Sequence, residues 1–303
     1  MEVYKFSHSF LAVFIILCLS FCTVSVFGAC PVGDLNGDCK VDFAIMTSNW
    51  LDDGTPTPVL YGMTWISIND SGAGMKDENG NPISQGGFNG EMSKYETTNA
   101  QYCQYLNAAK ASGAITVSGS YVVGTSGPYS GQNYYYLVGT GFTYGGATNG
   151  GAARINYTGS SFTVDSGFEN HPVTYVSWYG STAFASYYGW RLPTEWEWQA
   201  VADYNGSYAY GCGATINNSM ANYWNSNHPN GTTAVGTFGT YGYGMADMAG
   251  NVWEWTDSLY DPYSYRVLRG GGWEYDDDGC TVSYRNLNGP YGANIYIGFR
   301  VCR

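Results

Sequence analysis

The stretch "HPVTYVSWYGSTAFASYYGWRLPTEWEWQAVA", residues 171–202, carries two helix signals separated by one turn. In "SWYGSTAFASYYG", Trp178, Ala185 and Tyr188 fall on one stripe with the small Thr182 between them, although Gly180 leaves the start of that helix undefined. A second helix begins at "LPTEWEWQAVA". Thr194 followed by Glu197 has capping-box spacing, and Glu195 sits in the first turn, where the helix dipole favours a carboxylate.

Working outward, "ETTNAQYCQYLNAAKAS" predicts an earlier helix, with Thr and Asn capping signals and with Tyr102, Tyr105 and Leu106 spaced for one face. The remaining signals are short strands and turns: "NYYYLVGTGFTYGG", "SFTVDSG", "YRVLRGGGW" and "IYIGFRVCR". Between Ala114 and Gly167 the chain is rich in Gly, Ser, Thr and Tyr, as expected of an extended loop or hairpin insertion. A few helices among many short strands and loops is an α+β pattern with little regular structure.

The N-terminal end reads differently. Lys5 precedes a nearly continuous apolar run from Phe10 to Phe27, and "SVFGAC" closes it with small residues, so residues 1–29 are expected to be an export signal. Export places the protein in the secreted space or on the outer cell surface of a bacterium; a lipid or membrane anchor is the alternative. Removal of that segment takes Cys18 and Cys22 and leaves six cysteines, which an exported chain can pair as disulfides. Cys30 and Cys39 are the local pair, and nothing selects partners for Cys103, Cys212, Cys280 and Cys302.

In "DLNGDCKVDFAIMTSNWL", residues 34–51, Asp34, Asn36, Asp38, Lys40 and Asp42 stand at alternate positions, the spacing of the first ligands of a calcium loop. Residues 30–51 resemble one half of a dockerin repeat, which implies an assembly partner. Ile45 at the position of the final acidic ligand marks the loop as degenerate, and no second repeat follows. Residues 52–60 read as a linker, and 61–303 as one domain.

The net charge of −12 and pI near 4.4 argue against nucleic acid and anionic membrane surfaces. With 29 tyrosines beside 42 glycines, the surface suits sugar or protein recognition; the plainer alternative is that both residues fill a loop-rich extracellular fold.

The stretches "GMTWISIND", "MSKYETTNAQYCQYL", "RLPTEWEW", "GYGMADMAGNVWEWTDS", "RVLRGGGW" and "GFRV" occur in the order of the sulfatase-modifying-factor family, which the chain resembles from residue 61 to 303. That family contains the formylglycine-generating enzymes. The resemblance implies an irregular α+β fold related to C-type lectins, with a small twisted sheet, two main helices and much coil.

The family's oxidases hold copper between two cysteines. Counted from Arg269, the first position is Tyr275 and the second Cys280, and a tyrosine is no thiolate, so copper is not expected. Cys280 is then either a remnant of that site or a structural cysteine, with the structural reading preferred. Arg285 and Arg300 match family arginines that tie loops to carboxylates or carbonyls. The family's iron-dependent branch needs three histidines, and only His171 and His228 follow the leader, so iron is not expected either.

Calcium is the expected cofactor. The resemblance implies a structural ion held by the Asp247 side chain, the Gly250 and Val252 carbonyls and the Glu254 side chain. A second, weaker site would use Asn222 and the Tyr223 carbonyl. The alternative for Asp247 is a turn carboxylate that caps backbone amides. These readings converge on a binding module for a carbohydrate or protein ligand, with Trp273, Tyr275, Asp277, Tyr284, Asn286, Tyr291 and Asn294 lining its surface. The competing reading is a divergent oxidase acting on a sulfatase cysteine.

Overall fold

The computed structural model describes Leu60 and residues 62–137, 153–224, 231–260 and 264–303. Among these residues are three α-helices and eleven short strands in four small sheets. This is the α+β architecture, with few helices and much coil, that the sequence predicts.

Each helix begins where a hydroxyl side chain satisfies a free backbone amide. Helix α1, Asn99–Ala111, is capped by Thr98 and closed by the Gln101 side chain. Helix α2, Trp178–Tyr187, is capped by Ser177, whose hydroxyl accepts from the Gly180 amide. Helix α3, Glu195–Asp203, has the Thr194–Glu197 capping box. A Cβ at Gly180 would lie 2.2 Å from the Tyr134 carbonyl oxygen, so the residue that obscured the helix start is there to let a strand approach.

Strands β1, Trp65–Asp70, and β2, Phe88–Ser93, form an antiparallel ribbon. The region expected to be an extended loop or hairpin insertion contains two separate pieces of antiparallel sheet. Strands β3 (Ile115–Ser118), β4 (Tyr121–Gly124) and β5 (Asn133–Tyr136) form one, and β6 (Ile155–Tyr157) pairs with β7 (Phe162–Val164) in the other.

The sheet that positions the site has the order β10-β9-β8-β11. Its strands are β8 (Trp253–Leu259), β9 (Arg266–Arg269), β10 (Asn286–Asn288) and β11 (Ile297–Gly298). The "WEW" of "GNVWEW" therefore opens a buried inner strand. Glu254 stands opposite Arg269 in the β8–β9 register. Beyond β11 the chain runs beside β2, with Ser93 donating to the Val301 carbonyl and Glu91 and Arg303 exchanging backbone bonds.

Two apolar groups fill the interior. One gathers Tyr102, Leu106, Tyr135, Trp178, Phe184, Trp255 and Phe299. The other joins Ile68, Phe88, Met92, Trp198, Met245 and Cys302. Tyr102 is fully buried among Tyr105, Tyr135, Phe184 and Phe299, all with ring centroids within 6.1 Å, so many of the tyrosines serve the core. Cys103, Cys212, Cys280 and Cys302 are buried free thiols, which corrects the disulfide expectation for the cysteines of the described residues.

Gly180→Ala separates packing from propensity. Alanine favours an exposed helix interior by about 1 kcal/mol, yet here its Cβ meets backbone. Urea unfolding should show a loss of about 1–3 kcal/mol; unchanged or increased stability would contradict the close approach.

Candidate functional site

Two buried arginines hold the site's walls together. Arg300 has no solvent exposure and forks onto Glu254, with Nε 2.7 Å from Oε2 and an Nη 2.7 Å from Oε1. Its other donors reach the carbonyls of Ser93, Lys94 and Ala246. The Trp198 indole of α3 donates to Glu254 Oε2 at 2.7 Å. Burial pulls the Arg300 guanidinium down, but Glu254, Glu96 and Asp247 outweigh that and hold it above its ordinary range.

The second arginine, Arg269, is equally buried and donates to Gln199 at 2.8 Å, with Glu195 at 3.3 Å and the carbonyls of Val282 and Tyr284 close by. Burial lowers its guanidinium to about 10 despite Glu195. Arg285 completes the set with two bonds to Glu195, at 2.6 and 2.8 Å. The expected structural roles of Arg285 and Arg300 are thus seen directly.

Beside Arg300 lies a polar network that the sequence did not announce. Glu96 is buried and accepts from the Asn251 side chain at 2.6 Å and the Val252 amide at 3.2 Å. Burial, then the charges of Asp247 and Glu254, push its carboxyl well up. Asp247, at φ +56°, accepts from the Gly236 amide at 2.6 Å, so its carboxylate does cap backbone. Burial raises Asp247 to about 6.

Three carboxyl groups thus surround one guanidinium, and a hard cation among them would favour the ionised forms that burial disfavours. The expected donors, Asp247, Glu254 and the carbonyls of Gly250 and Val252, are all oxygens, which fits calcium chemically. Glu254 could offer only its remaining lone pairs, because both its oxygens already accept hydrogen bonds. No group of three His, Cys, Asp or Glu side chains placed to hold a metal occurs among the described residues.

Asn222 is buried, and its amide donates to the Gly231 carbonyl and toward Asn251. Its backbone carbonyl accepts from Asn251, so it belongs to the same network as Glu96. Tyr223 packs on the small apolar group of Cys212, Ala221, Ala249 and Cys280. Asp34, Asn36, Asp38, Lys40 and Asp42 lie outside the described residues, as do the leader and all of the linker except Leu60.

At the position expected for a first thiolate, Tyr275 stands half-buried and edge-on to Trp253, with centroids 5.1 Å apart. Cys280 is fully buried at the end of a short 3-10 turn, Asp278–Cys280. A Cβ on Gly271, at φ +79°, would stand 2.6 Å from its sulfur. Burial, then the neighbouring Cys212 thiol, push the Cys280 thiol well above its ordinary range, which disfavours the reactive thiolate.

Trp253 is the hub of the expected ligand surface. Tyr284 lies 5.9 Å from it, and the Trp253 backbone amide donates to the Tyr296 carbonyl. Trp273 is buried and donates from its backbone to the Asn251 carbonyl. Asp277 is exposed. Asn286 is half-buried on β10, and the Tyr291 carbonyl accepts from the Tyr136 hydroxyl. Asn294 joins through its carbonyl to the Tyr175 amide and through its side chain to Tyr296. His171 is a satisfied structural residue, with Nδ1 2.9 Å from the Thr232 hydroxyl; His228 lies outside the described residues.

Sequence reading missed Glu274. It is 6 % exposed, and neither carboxylate oxygen has a hydrogen-bond partner. The Trp253 indole lies near without reaching hydrogen-bond geometry. Burial pushes the carboxyl up to about 8, against the opposing pull of its own backbone amide and that indole. An acid directly after "RGGGW", in a turn of glycines and aromatics, was the available signal.

This raised carboxyl makes a signed prediction. The folded protein binds the Glu274 proton more tightly than the unfolded chain, so its stabilisation is complete below the unfolded pKa near 4.5 and is lost as pH rises toward 8. Urea unfolding from pH 5 to 8 should therefore show the wild type losing up to a few kcal/mol relative to Glu274→Gln. Parallel profiles would contradict the assignment.

Known proteins resemble this chain in sequence and in fold. The chain is 34 % identical over 166 residues to the formylglycine-generating enzyme of Streptomyces coelicolor, covering 44 % of this chain and 53 % of that protein. It is 36 % identical over 148 residues to the inactive C-alpha-formylglycine-generating enzyme 2 of Mus musculus, covering 43 % and 48 %. The chain spans from about a quarter to about half the length of the curated relatives it matches. Among solved structures, CarF superimposes with a TM-score of 0.54 at 20 % identity, over 82 % of this chain and 98 % of that one, which establishes the fold. With the model of that family matching residues 65–303, the chain belongs to the sulfatase-modifying factor enzyme 1-like domain family.

Proposed function

We propose that this family member is an exported, calcium-stabilised binding module without formylglycine-generating oxidase activity, and that its ligand is a carbohydrate or a segment of protein. The observation that carries the reading is Tyr275: a phenol packed edge-on to Trp253 occupies the position where an oxidase needs its first copper thiolate. The remaining Cys280 is sealed from solvent.

What the surface offers instead is contact area. Tyr284 is 36 % exposed, Leu287 38 % and Tyr291 64 %, while Asp276, Asp277 and Asp278 are exposed beside them in sequence. Aromatic faces with flanking carboxylates and amides suit sugar rings and peptide edges. Asp247, the Gly250 and Val252 carbonyls and Glu254 would hold calcium, which would favour the ionised form of these buried carboxyl groups. The apolar run Phe10–Phe27 supports export, and the alternate acids from Asp34 to Asp42 support docking to an assembly partner.

The second reading, a divergent oxidase, draws on one observation: Cys212 shares the apolar group of Cys280 and is one of the groups that raise its thiol. Incubating the purified protein with copper and a cysteine-containing sulfatase peptide separates the two. The binding reading predicts no aldehyde by mass spectrometry, and conversion of the cysteine would overturn it. On glycan and peptide arrays, Tyr284→Ala and Tyr291→Ala should each weaken binding about tenfold or more, and chelating calcium should do likewise. Binding unaffected by either change would place the ligand elsewhere.

A further inference from the structure

A cavity of about 400 Å³ has a lining that includes none of the residues of the proposed ligand surface. Three segments wall it: the turn Gly74–Gly80, the chain after α3 from Gly206 to Ala209, and Thr281–Ser283. Its volume falls in the range of about 300–1,000 Å³ usual for small-molecule sites. None of Trp273, Tyr275, Asp277, Tyr284, Asn286, Tyr291 or Asn294 lines it.

The walls are held by bonds that leave some of the lining groups available. The Gln199 side chain donates to the Lys76 carbonyl at 2.7 Å and accepts from Arg269, which ties the turn to α3. Asp77 is occupied with the amides of Asn79 and Asn81 and the Asn81 side chain. Gly206 packs against Gly74 so closely that a Cβ would stand 2.7 Å from the Gly74 Cα.

Asp203, the last residue of α3, lines this cavity and is only 2 % exposed. Its Oδ1 accepts from the Gly206 amide at 3.0 Å, and its Oδ2 has no hydrogen-bond partner among the described residues. A buried carboxylate oxygen without a donor costs about 1–3 kcal/mol or more, so a donor belongs there. Burial raises this carboxyl to about 6, opposed by the Gly206 amide and helped by Asp70, which leaves it ionised at pH 7.5.

The lining charges define the donor. Asp77, Glu78 and Asp203 outnumber Lys76, the single lining cation. A metal ion would need several converging ligands, and no three His, Cys, Asp or Glu side chains are so placed among the described residues. An ammonium group needs fewer: it brings both the charge and the hydrogens. Polar substituents around it meet the hydroxyls of Tyr208 and Ser283 and the lone pairs of Ser207 and Thr281, whose own protons go to the Tyr204 and Asp278 carbonyls.

We propose that this cavity binds a small primary amine carrying hydroxyl groups, with Asp203 as the counter-ion of the ammonium. Calorimetric titration of the full chain at pH 7.5 tests this, with glucosamine as the probe and N-acetylglucosamine as its uncharged counterpart. Glucosamine should bind the wild type, N-acetylglucosamine at least about tenfold more weakly, and Asp203→Asn should weaken glucosamine binding by a similar factor.

Two exposed positions guard against a folding defect in Asp203→Asn. Glu78→Gln should weaken glucosamine binding about two- to fivefold, and Lys76→Glu should strengthen it by a similar amount. Absence of glucosamine binding, equal affinity for the two sugars, or indifference to the charges at 76 and 78 would each overturn the proposal.

Discussion

Everything around the site depends on one buried ion pair, Arg300 with Glu254. Two charges removed from water are costly unless their remaining hydrogen-bonding capacity is met. Here the Trp198 indole takes a further lone pair of Glu254, and the carbonyls of Ser93, Lys94 and Ala246 take the remaining guanidinium protons. These contacts join α3, the inner strand β8, the end of β2 and the C-terminal run. A chain with so little regular structure has few long hydrogen-bond ladders to fix its loops, and this node does that work.

The same geometry dictates what the neighbouring surface can be. Glu254 follows Trp253, so holding the carboxylate inward fixes the strand on which the indole sits. Tyr275 and Tyr284 then pack on that indole, and the turn "RGGG" brings Cys280 against Gly271. Arg269, opposite Glu254 in the register, anchors the turn's first residue through Gln199 and Glu195. A half-buried phenol and an inaccessible sulfur occupy the two positions that the resemblance assigns to thiolates, which supports the proposed lack of oxidase chemistry.

Local chemistry made part of this legible. Thr98 and Thr194, each followed three residues later by a side chain that reaches back, announce α1 and α3 in the sequence. Counting from Arg269 locates Tyr275 and Cys280 without a structure. The helices were readable because their caps act over a few residues. The sheets were readable only in part: β5, β7, β9 and β11 fall in stretches read as short strands. By contrast, β8 begins inside a stretch read as a cation turn, and β3 and β4 lie in what composition described as an extended loop or hairpin insertion. Their burial comes from distant partners. For the same reason Glu274 and Asp203 could not be singled out, since a carboxylate shows its lack of a partner only when the chain has folded around it.

The direct measurement of this account is a double-mutant cycle on the central pair, read by urea unfolding of Arg300→Met, Glu254→Gln and the combined variant. Each single change leaves a buried group unpaired and should cost about 3–5 kcal/mol. The double variant should cost less than their sum by at least about 2 kcal/mol. Additive losses, or single losses within about 0.5 kcal/mol of zero, would contradict the claim that this pair organises the fold and its site.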